Sequence, residues 1–467
     1  MTPRGTCRPA PGPLEDYARA FDDLFSRVAQ RSCFRDYLVG LLLPRDRNKT
    51  LTALVGAEPI VQAQAAPVQR LQWFLSDAPW AVDAVNDRRI ALLMADPITR
   101  PHGRGVLILD ETGDRKDGTK TAHVGYQYLG SVGKVAWGIV AVSSAWADEG
   151  LYYPLHIRPY EPAARLARGK ADPAFRTKPA LAVELVEAAR AAGIPFEAVV
   201  ADSVYGENAT FEGALWEAGV PYVLSVYPSR GSWGPAEAAH TPEEAARELR
   251  WTSAEKPGDW TAVERSFRDG HTETWWAADL RLAGYGPDRP TRLVAATTDP
   301  ATLPAAHTWY LITNRPHPTT PHPAHAALGP ASLAEVVRLY GLRQWVEQSY
   351  KQVKQELGWA DFQVRSDRAI RRHWSLVCCA FSFAWWAYVR HEALALIDAV
   401  LHLAPAAPPP ESAGGKTGRR RLRTPAPALL AGGPSSGAEL AGPLDHALAL
   451  VARLVYGTAA PVHPRPA

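Results

Sequence analysis

The stretch "VVADSVYGEN", Val199 to Asn208, sets how the rest of the chain is read. Its β-branched residues make a short apolar run of the kind that fills a buried strand, and that run delivers a carboxylate, Asp202, to the start of a turn. Such a carboxylate either caps the next helix or serves as a ligand for something catalytic. The flanking segments have to decide.

Upstream, "GVLILDETG" from Gly105 reads as a strand that ends in Asp110 and Glu111. "HVGYQYLG", "KVAWGIVAVSSAWA" and "LYYPLHIRPY" follow as strands joined by turns short enough for an antiparallel meander. A helix, "KPALAVELVEAARAAG", leads into the opening stretch, and the helix "NATFEGALWEAG" and the strand "PYVLSVYP" come after it. A meander followed by alternating strands and helices predicts an α/β fold with a mixed sheet flanked by helices.

Beyond this block the pattern changes twice. Residues 229–306 carry short tryptophan-bearing strands such as "DWTAVERSF" and "TETWWAADLRL", and read as a β-rich insertion. "TWYLITNRP" then resumes the main fold, and one long helix is predicted from Ser332 to about Leu357. Residues 13–98 read as a helical N-terminal domain in which the basic and polar residues of "LPRDRNKT" could contact phosphates, a solvated loop being the plain alternative. The division is therefore 13–98 for the helical domain, 105–228 and 307–400 for the core, 229–306 for the insertion and 401–467 for the tail.

The tail stands apart in composition. Many of the 41 prolines and 35 glycines crowd residues 403–467, which read as a disordered linker with a basic cluster, Arg419 to Arg423, and one short helix, "LDHALALVARLVYG". "GGKTG" lacks the first glycine of a phosphate-binding loop at the required spacing and a preceding strand, which excludes nucleotide binding there.

With 46% hydrophobic and 21% charged residues over 467 positions, the chain can bury a large core. Its net charge of +3 permits a polyanionic partner without requiring one. Four cysteines without metal spacing fit a reducing cytoplasm. The N-terminus has no secretory apolar region, and the longest apolar run, "WSLVCCAFSFAWWAYV" from Trp374, is shorter than the roughly 20 residues of a membrane span, so it reads as a core helix.

Three carboxylates stand out: Asp110 and Asp202 at strand ends, and Glu347 in the long helix. Magnesium and manganese take hard oxygen ligands, and two such ions serve phosphoryl transfer by activating one oxygen and stabilising another. In "YGLRQWVEQSYKQVKQELG", Tyr340, Arg343, Glu347 and Lys354 fall within an arc of roughly 60° along about 21 Å of helix. One face thus joins a candidate metal ligand to cations suited to a DNA backbone, with Lys351 nearby. The plain alternative is an ion-pair lattice, such as Glu347 with Lys351.

These residues resemble the bacterial insertion-sequence transposases of the DDE type. Tyr340, Arg343, Glu347 and Lys354 match the Y-R-E-K signature of one large group at every spacing, and "LILDETGDRKDG", "VGYQYLGSVGKV" and "VVADSVYGEN" resemble the segments around its first two catalytic aspartates. The resemblance spans about residues 30–390. It implies a ribonuclease H-like core, catalysis by Asp110, Asp202 and Glu347 on two magnesium or manganese ions, DNA contacts from Tyr340, Arg343, Lys351 and Lys354, and an end-binding role for the N-terminal helical domain. It further implies transposon ends and target DNA as partners, a homodimer on paired ends, and a nucleoid-associated place in the cytoplasm.

In that group a tryptophan of the insertion can stack on a flipped base, which would fall to Trp275 or Trp276 here; core packing is the competing reading. Arg115, Lys116, Lys120, Lys134, Arg365, Arg368, Arg371 and Arg372 are further phosphate-binding candidates. A catalytically inactive DNA-binding descendant would be favoured by an altered metal ligand, and none is altered.

Overall fold

The computed structural model describes residues 6–44, 47–230, 241–267, 271–280, 291–319 and 328–403, with side chains described as far as residue 390. The basic cluster Arg419–Arg423 and the short helix read beyond it lie outside the described residues.

Five helices come first: α1 (Pro13–Arg19), α2 (Val28–Leu42), α3 (Leu51–Leu54), α4 (Ala66–Ser76) and α5 (Val82–Ala95). The meander follows as β1 (Val106–Arg115), β2 (Gly125–Leu129), β3 (Lys134–Ala147) and β4 (Tyr152–Pro159). Next come α6 (Lys178–Ala191), β5 (Ala198–Ala201), α7 (Ser203–Gly206), α8 (Ala209–Glu217) and β6 (Tyr222–Ser225). The chain continues through α9 (Pro242–Arg247), β7 (Thr261–Ser266), β8 (Thr272–Asp279), β9 (Arg292–Thr297) and β10 (Thr308–Thr313), and closes with α10 (Leu333–Gly341), α11 (Gln344–Gln355) and α12 (Asp367–Leu403).

The ten strands of the described residues join one mixed sheet in the order β2-β3-β1-β5-β6-β10-β9-β8-β7, with β4 alongside β3. Among the described strands, only β1 with β5 and β5 with β6 pair in parallel. The parallel stretches, Val106–Leu109 and Ala198–Ala201, are apolar at every position and fully buried, as strands covered on both faces must be.

The tryptophan-bearing segment does not form a separate body. Strand β9 pairs with β10, β10 pairs with β6, β8 pairs with β9 and β7 with β8, so β7, β8 and β9 extend the core sheet. Sequence gives strand character but not strand partners, and the apolar inner faces of β8 and β9 find cover by joining the existing sheet.

The N-terminal helices share the core with the sheet. Arg372 of α12 is 3% exposed and donates to the carbonyls of Phe74, Leu75, Ala78 and Trp80. The hydroxyl of Tyr37 meets Nδ1 of His373 at 2.7 Å. Lys49, one of the basic residues of "LPRDRNKT", is buried and donates to the carbonyls of Gly40, Leu41 and Leu43. These cations cap helix ends from inside, which removes Arg372 and Lys49 from the DNA-facing set.

One expectation about the closing region is corrected. The single helix from Ser332 to Leu357 is two helices, broken at Leu342 and Arg343, where Arg343 N donates to Tyr340 O and Trp345 N to Leu342 O. Gly341 at the break faces Arg265, whose Nη2 would lie 3.1 Å from an added Cβ. Tyr340 therefore ends α10, and only Arg343, Glu347, Lys351 and Lys354 belong to α11 or its cap.

Candidate active site

The parallel register of β1 and β5 brings the two aspartates to one end of the sheet. Leu109 is paired with Ala201; Asp110 is the next residue of β1, and Asp202 is the first residue after β5. Carboxyl ends of parallel strands are where α/β sheets open their clefts.

Asp202 answers the question its sequence posed with both roles. Its Oδ1 accepts from Val204 N at 3.0 Å as the cap of α7, while its Oδ2 faces Arg343 Nη2 at 3.6 Å. Gly206, four residues on, lets α7 lie against β6: an added Cβ would come within 1.9 Å of the Ser225 carbonyl oxygen. Glycine there sets how deep the cap sits.

Asp110 is 6% exposed. Its Oδ1 accepts from Glu111 N at 2.7 Å and its Oδ2 from Arg343 Nη2 at 3.0 Å. Burial pushes its carboxyl up to about 7 against the pull of Arg343, and Asp202 adds to the rise. With three carboxylates around one guanidinium the charge does not balance, and the most buried acid responds most.

Glu347 completes the group. Its Oε1 lies 3.0 Å from Arg343 Nη1, and its side chain is 66% exposed. The break before α11 places Glu347 in that helix's first turn, where the helix dipole favours a negative charge. Arg343 is held above its ordinary value: burial opposes the charge, and Asp110, Tyr340, Asp202 and Glu347 together overcome that.

Three carboxylates from three elements thus point at a single cation supplied by the chain itself. Among the described residues, no three His, Cys, Asp or Glu side chains converge closely enough to hold a metal ion by themselves. The donor set nonetheless suits a hard divalent cation, since all three groups offer carboxylate oxygens toward one point. Arg343 stands at that point.

Other sequence candidates are placed less simply. Lys354 Nζ pairs with Asp114 Oδ1 at 2.7 Å and donates to Gly113 O, so it clamps α11 onto β1. Asp114, which also accepts from Trp359 Nε1 at 2.9 Å, was not singled out in sequence, although it lies on the same strand face as Asp110. Tyr340 is 8% exposed, edge-on to Trp309. Lys351 is exposed on α11.

Trp275 is 3% exposed, with Trp309 at 4.3 Å and the Arg265 guanidinium 4.5 Å from its ring, an arrangement of core packing. Trp276 is half-buried, edge-on to Trp251 at 4.7 Å. Lys116 Nζ donates to Ala360 O and Phe362 O, and Arg371 pairs with Asp367. Beneath the site, the hydroxyls of Ser143 and Tyr350 meet at 2.7 Å and tie α11 to β3.

Comparison with known proteins agrees with this fold. Residues 20–281 match the family described as DDE superfamily endonuclease, and the mixed sheet flanked by helices is the ribonuclease H-like arrangement of that class. The chain belongs to this family. It is also 31% identical over 354 residues to the probable transposase for insertion sequence element IS701 of Microchaete diplosiphon, covering 75% of this chain and 81% of the relative. Within the superfamily it is thus a member of the insertion-sequence DDE transposases. The family match contains Asp110 and Asp202 and ends before Glu347. Among the described residues no helix is long and apolar enough to cross a membrane.

Proposed function

We propose that this transposase cuts DNA at the terminal inverted repeats of its own element and joins the freed 3′ hydroxyl to target DNA, with Asp110, Asp202 and Glu347 as the catalytic carboxylates. The observation that carries this reading is their shared approach to Arg343, at 3.0, 3.6 and 3.0 Å. These three residues would hold two magnesium or manganese ions, which when bound supply activation of the attacking oxygen and neutralisation of the leaving one.

The chain's own groups divide the remaining work. Asp110 and Asp202 are fixed by backbone donors and define the floor of the site. Glu347, exposed and attached to the first turn of α11, is the adjustable member. Arg343 is a planar fork that matches phosphate as well as carboxylate, so a DNA backbone entering the site competes for it and frees the acids. Lys351 adds an exposed cation on the same helix. Two protomers on paired ends, and helices α1–α5 as an end-binding region, complete the reading in a cytoplasmic, nucleoid-associated protein.

The test is incubation of the full chain with a labelled duplex carrying the element end, with magnesium, manganese or chelator, beside Asp202→Asn. Metal-dependent nicking or strand transfer, lost in the variant, supports the proposal. Binding without cleavage in either metal, under conditions where paired ends assemble, would overturn it and favour a DNA-binding protein without catalysis.

A further inference from the structure

Eleven large apolar side chains are exposed among the described residues, and five of them lie within twelve positions: Tyr126 at 67%, Tyr128 at 54%, Val132 at 40%, Val135 at 47% and Trp137 at 45%. Scattered apolar residues are ordinary on a surface, but a concentration on one element is not. These belong to the β2–β3 hairpin at the edge of the sheet.

Register puts four of them on one side. Tyr126 pairs with Trp137 and Tyr128 with Val135, and the first pair's rings lie 5.8 Å apart. Paired residues across antiparallel strands share a face, and every second residue along a strand returns to it. Asp110 pairs with Ser143, and Ser143, Ala141, Ile139, Trp137 and Val135 alternate along β3. The aromatic face of the hairpin is therefore the sheet face that bears Asp110.

The opposite face of the same hairpin is packed. An added Cβ on Gly113 would meet Leu129 Cδ2 at 2.9 Å, and one on Gly138 would meet Leu129 Cδ1 at 2.5 Å, so Leu129 is seated against both backbones. Ser131 Oγ donates to Gly113 O at 2.6 Å. The hairpin is thus held on its inner side and bare of cover on its outer one.

Two further features fit one occupant. Trp137 lies six positions along β3 from Ser143, the partner of Asp110, which at the rise of an extended strand is about 20 Å, or roughly six base pairs of duplex. Residues 115–137 carry Arg115, Lys116, Lys120 and Lys134 against Asp117 alone, a net +3 that equals the charge of the entire chain. Arg115 is 70% exposed, and Lys120 and Lys134 are also exposed.

We infer that this hairpin is a DNA-docking arm: its aromatic face packs on the sugars and bases of the duplex about six base pairs from the cleavage point, and its exposed cations Arg115, Lys120 and Lys134 take the phosphates. This inference rests on the proposed function, because it needs DNA at Asp110. An apolar protein partner would gain nothing from the arm's excess of lysine and arginine.

The experiment uses the full chain and labelled duplexes with the element end, one long on both sides of the cleavage point and others trimmed to about three base pairs on one side. Wild type should lose about tenfold in affinity on trimming the side that meets the arm, a size set by the loss of one or two stacked contacts. The variant Tyr126→Ser/Trp137→Ser should bind the long duplex about tenfold more weakly and be indifferent to that trimming. Independently of any variant, 5-iodouracil placed about six base pairs from the cleavage point should crosslink wild type to peptide 125–137.

Failure of wild type to bind any duplex would sink the proposed function and this inference together. Wild-type affinity in a folded variant, or crosslinks that map elsewhere, would overturn the arm alone. A variant that keeps its DNA affinity but changes from dimer to monomer would assign the face to a second copy of the chain instead.

Discussion

Arg343 Nη2 lies 3.0 Å from Asp110 Oδ2, and the same guanidinium holds Asp202 and Glu347. One arginine thus does in the protein alone what a divalent cation is proposed to do on DNA. Arg343→Gln should lower stability in chelator by about 2 kcal/mol, the cost of stranding partly buried carboxylates. Added magnesium should shrink that deficit, because a cation then replaces the lost charge. Thermal unfolding with and without magnesium checks it, and a deficit that magnesium leaves untouched would count against carboxylates shared by both cations.

Asp202 offers a separation of structure from chemistry. Asparagine caps a helix as well as aspartate does, whereas alanine gives up about 1 kcal/mol at such a position. Asp202→Asn should keep the unfolding midpoint and lose cleavage, and Asp202→Ala should lose both. Denaturant unfolding beside a nicking assay reads the two effects, and full activity in the asparagine variant would remove Asp202 from the catalytic set.

Gly206→Ala places a methyl 1.9 Å from the Ser225 carbonyl oxygen. Backbone on both sides leaves no flexible atom to yield, so a loss of at least about 2 kcal/mol is expected. Because α7 carries Asp202 as its cap, cleavage by the folded fraction should fall as well.

Two buried histidines should weaken the fold in acid. Burial pushes His156 down to about 4, with Arg89 and Arg158 adding to it, and burial likewise pushes His373 down to about 4. Unfolded chain takes the proton near 6.5 while the folded chain refuses it until about 4. Stability is therefore complete above 6.5 and falls as pH drops toward 4, by up to about 1.4 kcal/mol per pH unit for each histidine. Asp110 works the other way between 3.8 and about 7, since its folded carboxyl binds the proton more tightly. Unfolding of wild type against His156→Gln across this window isolates the histidine: the variant should show the shallower acid loss, and equal slopes would refute it.

Arg372 separates two readings of a basic cluster. Arg372→Met removes the donor shared by four carbonyls at the ends of α4 and in the loop after it, which should cost about 3 kcal/mol. DNA affinity of the folded fraction should be unchanged. A loss of affinity at full stability would return Arg372 to the DNA interface.

Much of the site was legible before the fold was. Asp110 and Asp202 follow apolar runs that could only be core strands, and the Y-R-E-K spacing singled out Arg343 and Glu347. The break at Leu342 was not, because the apolar period runs on through it and only Gly341 interrupts the pattern. Asp114 escaped notice for a similar reason: its importance comes from Lys354, 240 positions away, which leaves α11 to pair with it. The tryptophan-bearing strands looked like a separate insertion because nothing local says which strand β9 and β10 choose.

The sequence by itself determined which segments are strands and helices, which carboxylates end the buried strands, and which family the chain resembles. Those properties depend on neighbours within a few residues, where periodicity and side-chain chemistry suffice. Only the tertiary structure decided that the strand register sets Asp110 level with Asp202, that Arg343 is shared by three acids, and that Lys354 is committed to β1. It also decided that the hairpin's aromatic face lies on the side of Asp110. Each of these depends on pairings between distant segments, selected by burial of whole faces at once, and no local pattern encodes them.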